Sequence, residues 1–275
     1  MMVRDVMANT SMIIDFLGTR GAFPLNLPET QQLGTETSCV AVTCGDDRLI
    51  LDAGTGLNRI APSYDRDFVI LTHFHYDHIL GLPYFLSRKC EGSVVLATSC
   101  AKDDACFKKK LTAIFGGTGF PVSLSEIFSP LQLMAWNTSD TAQLGPWEVT
   151  SIELNHPGTA FGYRVVHSNC SRVICYLMDH EPNPDYDNDA LIAFSKAADL
   201  VIYDAAYSED GDIPYEGFGH STIEAGQRFR AESNCQKIAF MGHSLERLDS
   251  EIPHITSILD TEFELLAYDG LRITL

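Results

Sequence analysis

The segment Thr72–His78 constrains the fold of this chain more than any other feature, because it holds three histidines and an aspartate directly after a buried strand. The strand is predicted by the run Phe68–Thr72, whose apolar residues are typical of a strand covered on both faces. In an extended segment, residues two apart face the same way, so His73 and His75 can converge on one ion. The following turn can direct the aspartate and the last histidine towards a second ion. The segment therefore predicts a metal site at the end of a buried strand.

Short strands and fewer helices alternate along the rest of the sequence, with turn residues between them. Helices follow strands in both halves, which predicts the α/β (α+β) class, with sheets covered by helices and not a helical bundle or a pure β-sandwich. The predicted strands are Ile13–Leu17, Ser38–Cys44, Arg48–Asp52, Phe68–Thr72, Val94–Ala97, Trp147–Leu154, Phe161–Val166, Val173–Met178, Leu200–Tyr203 and Lys237–Met241. Helices are predicted at Ile79–Ser87, Asp189–Ala197, Thr222–Ser233 and Ser250–Leu259, and polar loops at Asn137–Gly145 and Glu181–Asn188.

The composition indicates a folded protein that does not enter a membrane. The net charge of −18 disfavours long nucleic-acid substrates, because polyanions are repelled unless a basic patch or a bound cation intervenes. No run approaches the roughly 20 apolar residues that cross a bilayer, and residues 1–11 lack the apolar stretch of a signal peptide. Eight cysteines without a C-x-x-C pair predict reduced thiols in a cytoplasmic protein, not a zinc knuckle or a disulfide framework.

The spacing His73-x-His75-x-Asp77-His78 resembles the signature of the metallo-β-lactamase superfamily. Phe16–Gly21 resembles the first strand and turn of its phosphodiesterase-like and ribonuclease Z-like branches, and Leu51–Gly56 resembles the acidic motif that precedes the histidines. The resemblance covers nearly the whole chain. It implies a single domain over residues 1–275 with a four-layer αββα sandwich. It also implies a hydrolase with two divalent metal ions, zinc first, with manganese, iron or nickel as alternatives.

The same resemblance implies which residues complete the site. His156, Asp179 and His243 each follow a predicted strand, in the order that the family pattern requires. In that pattern Asp179 bridges the two ions, the first ion takes His73, His75 and His156, and the second takes Asp77, His78 and His243. Asp52 would orient a ligand histidine or the histidine segment by hydrogen bonds. The alternative for Asp52 is a turn-forming aspartate before an Ala-Gly pair.

A second motif, Gly217–Thr222, resembles the Gly-His-Ser-Thr motif of ribonuclease Z-like and related phosphodiesterase-like proteins. The resemblance implies that His220 contacts a phosphate oxygen or protonates the leaving oxygen. Asp204 resembles an acidic position of the same branch and would orient His220, and Asp77 joins them as a candidate catalytic group. The alternatives are a capped helix start with a solvent-facing His220 and a structural carboxylate at Asp204.

The sequence departs from the ribonuclease Z pattern in two places. His180 and Glu181 follow the bridging aspartate, where that pattern has a small hydroxyl residue, and we expect His180 in a surface loop. The segment 101–120 is shorter and more mixed in charge than the basic arm that grips transfer RNA, so we expect a helix and loop at the rim of the site. Arg20 is also expected at the surface, although the turn that carries it can approach the site.

These features favour a metal-dependent phosphodiesterase that acts on a small or cyclic phosphodiester. The first alternative is a tRNA 3′-processing endoribonuclease, which would need a basic exosite, for example from the second copy in a homodimer. Hydrolysis of β-lactams or thioesters is less consistent with Asp179 and with the motif around His220. A non-catalytic protein that uses the fold to bind a metabolite belongs to a different class of function, but the complete ligand set does not indicate a loss of catalysis.

Overall fold

The computed structural model describes residues 11–60, 62, 64–117, 120–138, 140–183, 188–209 and 216–275. Their strands form two mixed sheets of seven strands each. The strands are β1 (Met12–Gly18), β2 (Cys39–Cys44), β3 (Asp47–Leu51), β4 (Arg66–Leu71), β5 (Ser93–Thr98), β6 (Leu131–Ala135), β7 (Ala142–Leu144), β8 (Trp147–Leu154), β9 (Ala160–His167), β10 (Val173–Leu177), β11 (Leu200–Asp204), β12 (Lys237–Met241), β13 (Glu264–Leu266) and β14 (Arg272–Thr274). The α-helices are α1 (Leu82–Ser87), α2 (Asp104–Ile114), α3 (Leu124–Ile127), α4 (Asn188–Ser195), α5 (Ile223–Ser233) and α6 (Ile252–Ile258).

The strand order brings several carboxyl ends to one edge of each sheet. The first sheet has the order β14-β1-β2-β3-β4-β5-β6, and its strands β3 to β6 run parallel. The second sheet has the order β13-β12-β11-β10-β9-β8-β7, and its strands β10 to β13 run parallel. Strand β8 is antiparallel to β9, which is antiparallel to β10, so β8 ends at the same edge as β10.

The two sheets pack face to face, and helices cover their outer faces. Residues such as Phe16 of β1 and Tyr163 of β9 share the core between the sheets. A second core packs α1 and α2 on the first sheet, for example through Phe107, and a third packs α4, α5 and α6 on the second, for example through Phe229. Strand β4 is buried at nearly every residue, which explains its continuous apolar sequence. The α/β class and the four-layer αββα sandwich predicted from the sequence are confirmed.

Several short elements differ from the sequence-based prediction. The loop predicted at Asn137–Gly145 is wrong in part, because β7 lies within it and pairs with β8. Strands β6, β13 and β14 were not predicted. The last two have only three residues each, which is too short for an alternating pattern to be visible. Helix α1 begins at Leu82, later than predicted, because a 3₁₀ turn at Tyr76–His78 comes first.

The segment 101–120 contains a helix, α2, as predicted. Helix α5 has Thr222 as its N-cap, whose hydroxyl accepts a hydrogen bond from the Ala225 amide at 3.1 Å. Helices in the described ranges are too short or too polar to cross a membrane. Part of the loop predicted at Glu181–Asn188 and the predictions for residues 1–10 lie outside the described residues.

Candidate metal centre

The candidate metal ligands come from both sheets and meet at the shared carboxyl edge. In the first sheet, β3 ends before Asp52 and β4 ends before the segment Thr72–His78. In the second sheet, β8, β10 and β11 end at or before His156, Asp179 and Asp204. The amide of Phe161, at the start of β9, donates to the Thr72 carbonyl at 3.1 Å and ties the two sheets together beside the site. Neither sheet alone supplies the whole group.

Among the described residues, three groups of side chains lie close enough to hold metal ions. The third, formed by Asp179, Asp204 and His220, is described below, and the other two contain most of the predicted ligands. The first contains His73, His75, His156 and Asp179, and the second contains Asp77, His78 and Asp179; within each group the candidate ligand atoms lie within 4.8 Å of one another. In the first group, His156 Nε2 lies 3.1 Å from His75 Nδ1. In the second, His78 Nε2 lies 3.3 Å from Asp77 Oδ2. The structure therefore brings together six of the seven residues that the sequence assigned as ligands.

Asp179 faces both groups with the same carboxylate oxygen. Its Oδ2 atom lies 3.4 Å from His73 Nε2, 3.5 Å from His156 Nε2 and 3.2 Å from His78 Nε2. The backbone of Asp179 is left-handed, with φ of 61°, a conformation that aspartate tolerates better than most residues. This turn directs the carboxylate from the end of β10 into the space between the groups, where a bridging ligand belongs.

The donor set fits divalent cations, and two buried nitrogen atoms mark where they would bind. His73 Nε2 and His78 Nε2 are buried and have no hydrogen-bond partner among the described residues, although an orphaned buried polar atom is costly. Both atoms face Asp179. Imidazole nitrogens and carboxylate oxygens are the ligands that zinc and similar metals prefer. The orphaned nitrogens are thus explained if they are metal ligands.

Charge at the centre also favours cations. Burial alone would raise the pKa of Asp179, but the charges of His78 and His220 hold it well below its usual value. Burial would lower the pKa of His78, but the carboxylates of Asp179, Asp77 and Asp52 hold it well above its usual value. Burial keeps the pKa of His73 well below its usual value, so His73 is neutral and offers a lone pair. The carboxylates therefore stabilise positive charge beside a neutral imidazole.

Asp52 lies behind the histidines and fixes their orientation. Its Oδ2 atom is 2.7 Å from His78 Nδ1, so the opposite nitrogen, Nε2, points at Asp179. Asp52 Oδ1 accepts a hydrogen bond from the Thr72 amide at 2.8 Å, and the Thr72 hydroxyl lies 3.0 Å from His73 Nδ1. Asp52 thus contacts both a candidate ligand and the start of the histidine segment, which is the arrangement that commonly fixes the tautomer of a metal-binding histidine.

His220 and Asp204 form a pair on the side of the second sheet. His220 Nδ1 lies 2.7 Å from Asp204 Oδ2, and both side chains group with Asp179. The second carboxylate oxygen of Asp204 accepts from the Ala206 amide at 3.1 Å, so the aspartate is fixed in place. Burial would lower the pKa of His220, but Asp204 and Asp179 raise it to about 10. Asp204 therefore orients His220 and, with Asp179, favours its protonated form.

Glu181 holds the loop that carries His220, a role that sequence reasoning missed. Its carboxylate oxygens accept hydrogen bonds from the amides of Gly217 at 2.9 Å and Gly219 at 2.8 Å. The carbonyl oxygen of Gly219 lies 2.9 Å from His156 Nδ1, so the same loop orients a candidate ligand. Gly219 has φ of +85°, and a Cβ atom there would lie 2.2 Å from His156 Nδ1. The only signal in the sequence was the departure from the ribonuclease Z pattern after Asp179.

His243 does not join the centre, and the sequence-based assignment of this residue as a ligand of the second ion is corrected. Its Nε2 atom lies 2.7 Å from the Ala267 carbonyl oxygen, and its Nδ1 atom lies 3.3 Å from the Arg247 guanidinium. Both ring nitrogens are thus occupied, and burial together with the charge of Arg247 lowers the pKa of His243 to about 3. The amides of Gly242 and His243 both donate to the Thr19 carbonyl, which turns the chain at the end of β12. The position of His243 after a strand does not reveal in which direction its side chain points.

Two further expectations about the surface are wrong. Arg20 is completely buried, and its guanidinium donates to the carbonyl oxygens of Gly34 and Ser244 at 2.9 and 2.7 Å. His180 is 1% exposed, and its Nδ1 atom accepts from the Asn155 amide at 3.3 Å. Burial and the neighbouring His156 lower the pKa of His180 to about 4. Both residues hold the loops around the site by backbone contacts.

The family model of the β-lactamase superfamily domain matches residues 47–243, which include every candidate ligand as well as Asp52, Asp204 and His220. The chain is 29% identical to a ribonuclease Z of Haloarcula marismortui over an alignment of 316 positions, gaps included. The alignment covers 95% of this chain and 96% of that protein.

Solved structures share the fold. The metallo-beta-lactamase fold protein YhfI from Bacillus subtilis has a TM-score of 0.70 at 19% identity, and the match covers 96% of this chain and 100% of that one. A diphosphatase from the PhnP family has a TM-score of 0.68 at 16% identity, covering 96% and 97%.

Proposed function

This chain belongs to the β-lactamase superfamily, and from that membership we propose that it is a metal-dependent hydrolase that cleaves small phosphodiesters. The observation that carries the proposal is the convergence of two ligand groups on Asp179 beside the His220–Asp204 pair. The first feature suits a pair of divalent cations. The second suits the transfer of a phosphoryl group, because an oriented imidazolium can stabilise or protonate an oxygen that gains negative charge.

Six residues would hold the cations. His73, His75 and His156 would bind the first, Asp77 and His78 the second, and Asp179 would bind both. Divalent cations held there supply Lewis-acid stabilisation of the charge that develops on the phosphoryl oxygens. Zinc suits this set of nitrogen and oxygen ligands, and manganese or iron suits it as well.

The remaining steps belong to side chains of the protein. Asp204 holds the Nδ1 edge of His220, so the Nε2–H of the imidazolium is free to donate to a substrate oxygen. Water is the nucleophile of the hydrolysis, and its oxygen forms the new P–O bond as the bond to the leaving oxygen breaks. His220 gives its one remaining N–H proton, on Nε2, to the leaving oxygen, and a proton from the attacking water replaces it through the solvent. Asp52 and the Gly219 carbonyl keep the ligand histidines in one tautomer and one orientation. Glu181 holds the loop of His220 in place by accepting from two of its amides.

The charge of the protein supports a small substrate. The net charge of −18 opposes the approach of a long polyanion, whereas a single phosphodiester experiences mainly the local field of bound cations. The fold is shared with a diphosphatase of the PhnP family, which is consistent with a small phosphate ester.

A tRNA 3′-processing endoribonuclease is the second candidate. It is favoured by the 29% identity to a ribonuclease Z along 95% of the chain. The segment 101–120 contains α2, which is followed closely by α3 and β6, so this part of the described chain does not extend into a long arm. A basic surface for RNA would then have to come from another copy or another protein.

The test combines metal analysis with a substrate panel. Protein loaded with zinc or manganese is assayed for bound metal and then given bis(p-nitrophenyl) phosphate, 2′,3′-cyclic nucleotides and a pre-tRNA transcript. We expect about two metal ions per chain and hydrolysis of the small diesters. Cleavage of the transcript alone would establish the second candidate. Protein that holds two ions but hydrolyses none of these phosphodiesters would refute both.

A further inference from the structure

Two cavities adjoin His220, and their linings differ in charge. One, here called the acidic cavity, has a volume of about 250 Å³ and is lined by Glu181, Glu209 and Glu216 as well as His220. Arg228, the one arginine among the described residues of its lining, donates to both carboxylate oxygens of Glu209 at 3.1 and 2.6 Å. The acidic cavity therefore keeps a net negative charge and disfavours a group that carries a further phosphate.

The other, here called the apolar cavity, has a volume of about 280 Å³. Its walls include Tyr207, Phe218 and Leu245, and Gly21 and Gly242 contribute surface without side chains. Among the described residues of its lining, Glu246 is the single carboxylate, against three in the acidic cavity. Phe218 is 59% exposed and Leu245 is 37% exposed, so apolar surface faces water directly beside the candidate reactive centre. Covering such surface stabilises a complex in proportion to the area that is removed from water.

Hydrogen bonds and a ring contact hold the Tyr207 side of the apolar cavity in place. The Tyr207 amide donates to the Ser221 carbonyl at 3.1 Å, and the Ile223 amide donates to the Tyr207 carbonyl at 3.2 Å. The ring of Tyr207 meets the ring of His220 edge to face, with centroids 6.2 Å apart. The Ala22 amide donates to Asp77 Oδ2 at 2.9 Å, which joins the cavity to the second ligand group. This wall of the cavity therefore loses little conformational freedom when a ligand binds.

We propose that the apolar cavity is the subsite for an uncharged planar group of the substrate, such as an aryl ring or a nucleobase. This inference rests on the proposed phosphodiesterase function, because it assigns one organic group of the diester to this side of His220. Aromatic side chains stack on planar rings whatever base or substituent the ring carries. The volume lies just below the usual range for ligand pockets, roughly 300–1,000 Å³, which suits one planar group and not an oligonucleotide. On the other side of His220, the charge of the acidic cavity disfavours a substrate group that carries a further phosphate.

Binding of two anions tests the subsite. Calorimetry with zinc-loaded protein compares phenyl phosphate with inorganic phosphate, which share the anion and differ by the ring. We expect the wild-type protein to bind phenyl phosphate about tenfold or more tightly than inorganic phosphate, as stacking on one ring allows. Leu245→Ala and Phe218→Ala are each expected to reduce that preference about five- to tenfold and to leave the affinity for inorganic phosphate unchanged.

Ile258→Ala is the matched control, since Ile258 is 38% exposed at the end of α6, outside the lining of the cavity. It is expected to keep the wild-type preference. Equal affinity for the two anions in the wild-type protein, or an unchanged preference in both cavity variants, overturns the subsite. Hydrolysis of bis(p-nitrophenyl) phosphate is measured on the same samples. Hydrolysis without a phenyl preference refutes the subsite alone, and a phenyl preference without hydrolysis refutes the proposed function alone.

Discussion

A single carboxylate, Asp179, faces both ligand groups at 3.2 to 3.5 Å from three imidazole nitrogens. We therefore expect Asp179→Ala to lose both ions or to retain at most one. Metal analysis after dialysis against dilute zinc measures this directly. Asp46→Ala, at an exposed aspartate between β2 and β3, is the control and should keep the wild-type content. Two ions bound to Asp179→Ala with wild-type affinity would show that another residue bridges them.

His220 is expected to act on the substrate without being needed for metal binding. His220→Ala should keep both ions and lower the rate of phosphodiester hydrolysis by roughly 10²–10⁴-fold, the range of general acid catalysis. Steady-state kinetics and metal content are measured together, with His254→Ala on α6 as an exposed histidine control. Loss of metal from His220→Ala would instead place this histidine among the ligands, because it already groups with Asp179.

The sequence suggested that His243 is a metal ligand, whereas the structure pairs it with Ala267 and Arg247, and a substitution at His243 distinguishes the two assignments. His243→Ala should leave the metal content unchanged. It should also destabilise the fold by about 1–3 kcal/mol, because the buried Ala267 carbonyl loses its partner. Urea unfolding of the metal-free protein reports the second effect. A variant that loses one ion at unchanged stability would restore His243 to the ligand set.

These residues also show what a sequence can and cannot specify about a site. His73, His75, Asp77 and His78 are neighbours in the chain, so their convergence follows from one strand end and one turn. His156 and Asp179 could be placed only by the order of strand ends. For His243 that order was insufficient, because the direction of a side chain depends on contacts with Thr19 and Ala267 that are distant in the chain.

At the scale of elements, the loop before α5 depends on one glutamate. Glu181→Gln leaves a single acceptor oxygen for the amides of Gly217 and Gly219, so one of the two hydrogen bonds is lost. Because this loop also orients His156, we expect metal affinity to fall by about 10- to 100-fold, as for other groups that hold metal ligands in place. Competition with a zinc chelator measures the affinity.

Glu216→Gln is the matched control for that change, since Glu216 is exposed in the same loop. It should bind metal like the wild-type protein. If Glu181→Gln binds both ions normally, the loop is held by other contacts and Glu181 does not position the site.

The elements themselves were largely predictable where burial imposes a pattern. Strand β4 is identified by its continuous apolar run, and β8 by the alternation of its buried and more exposed residues, and candidate ligands follow both strands. Strand β14 has three partly exposed residues at the edge of its sheet, and it forms because β1 offers a partner, a contact that local sequence does not encode.

The whole molecule should be more stable with metal than without it. With free zinc at ~100 times its Kd, each occupied site contributes about 2.7 kcal/mol to the free energy of unfolding, and one site alone sets the lower estimate. For a chain of this size, that corresponds to a rise of roughly 5–10 °C in Tm. Calorimetric scans before and after treatment with a chelator measure the shift. The Asp179→Ala variant is the control, and a shift of equal size in that variant would place the stabilising ions elsewhere.

The division of ligands between the sheets has a consequence for the order of events during synthesis. Strands β1 to β6 emerge with His73, His75, Asp77 and His78, but the partners of those side chains are encoded in the later half. The first sheet itself stays unfinished until β14 arrives to flank β1. A nascent chain therefore offers a cation only part of the ligand set, and tight binding requires that both halves of the chain have folded and packed together. Tight metal binding then indicates that both sheets have formed.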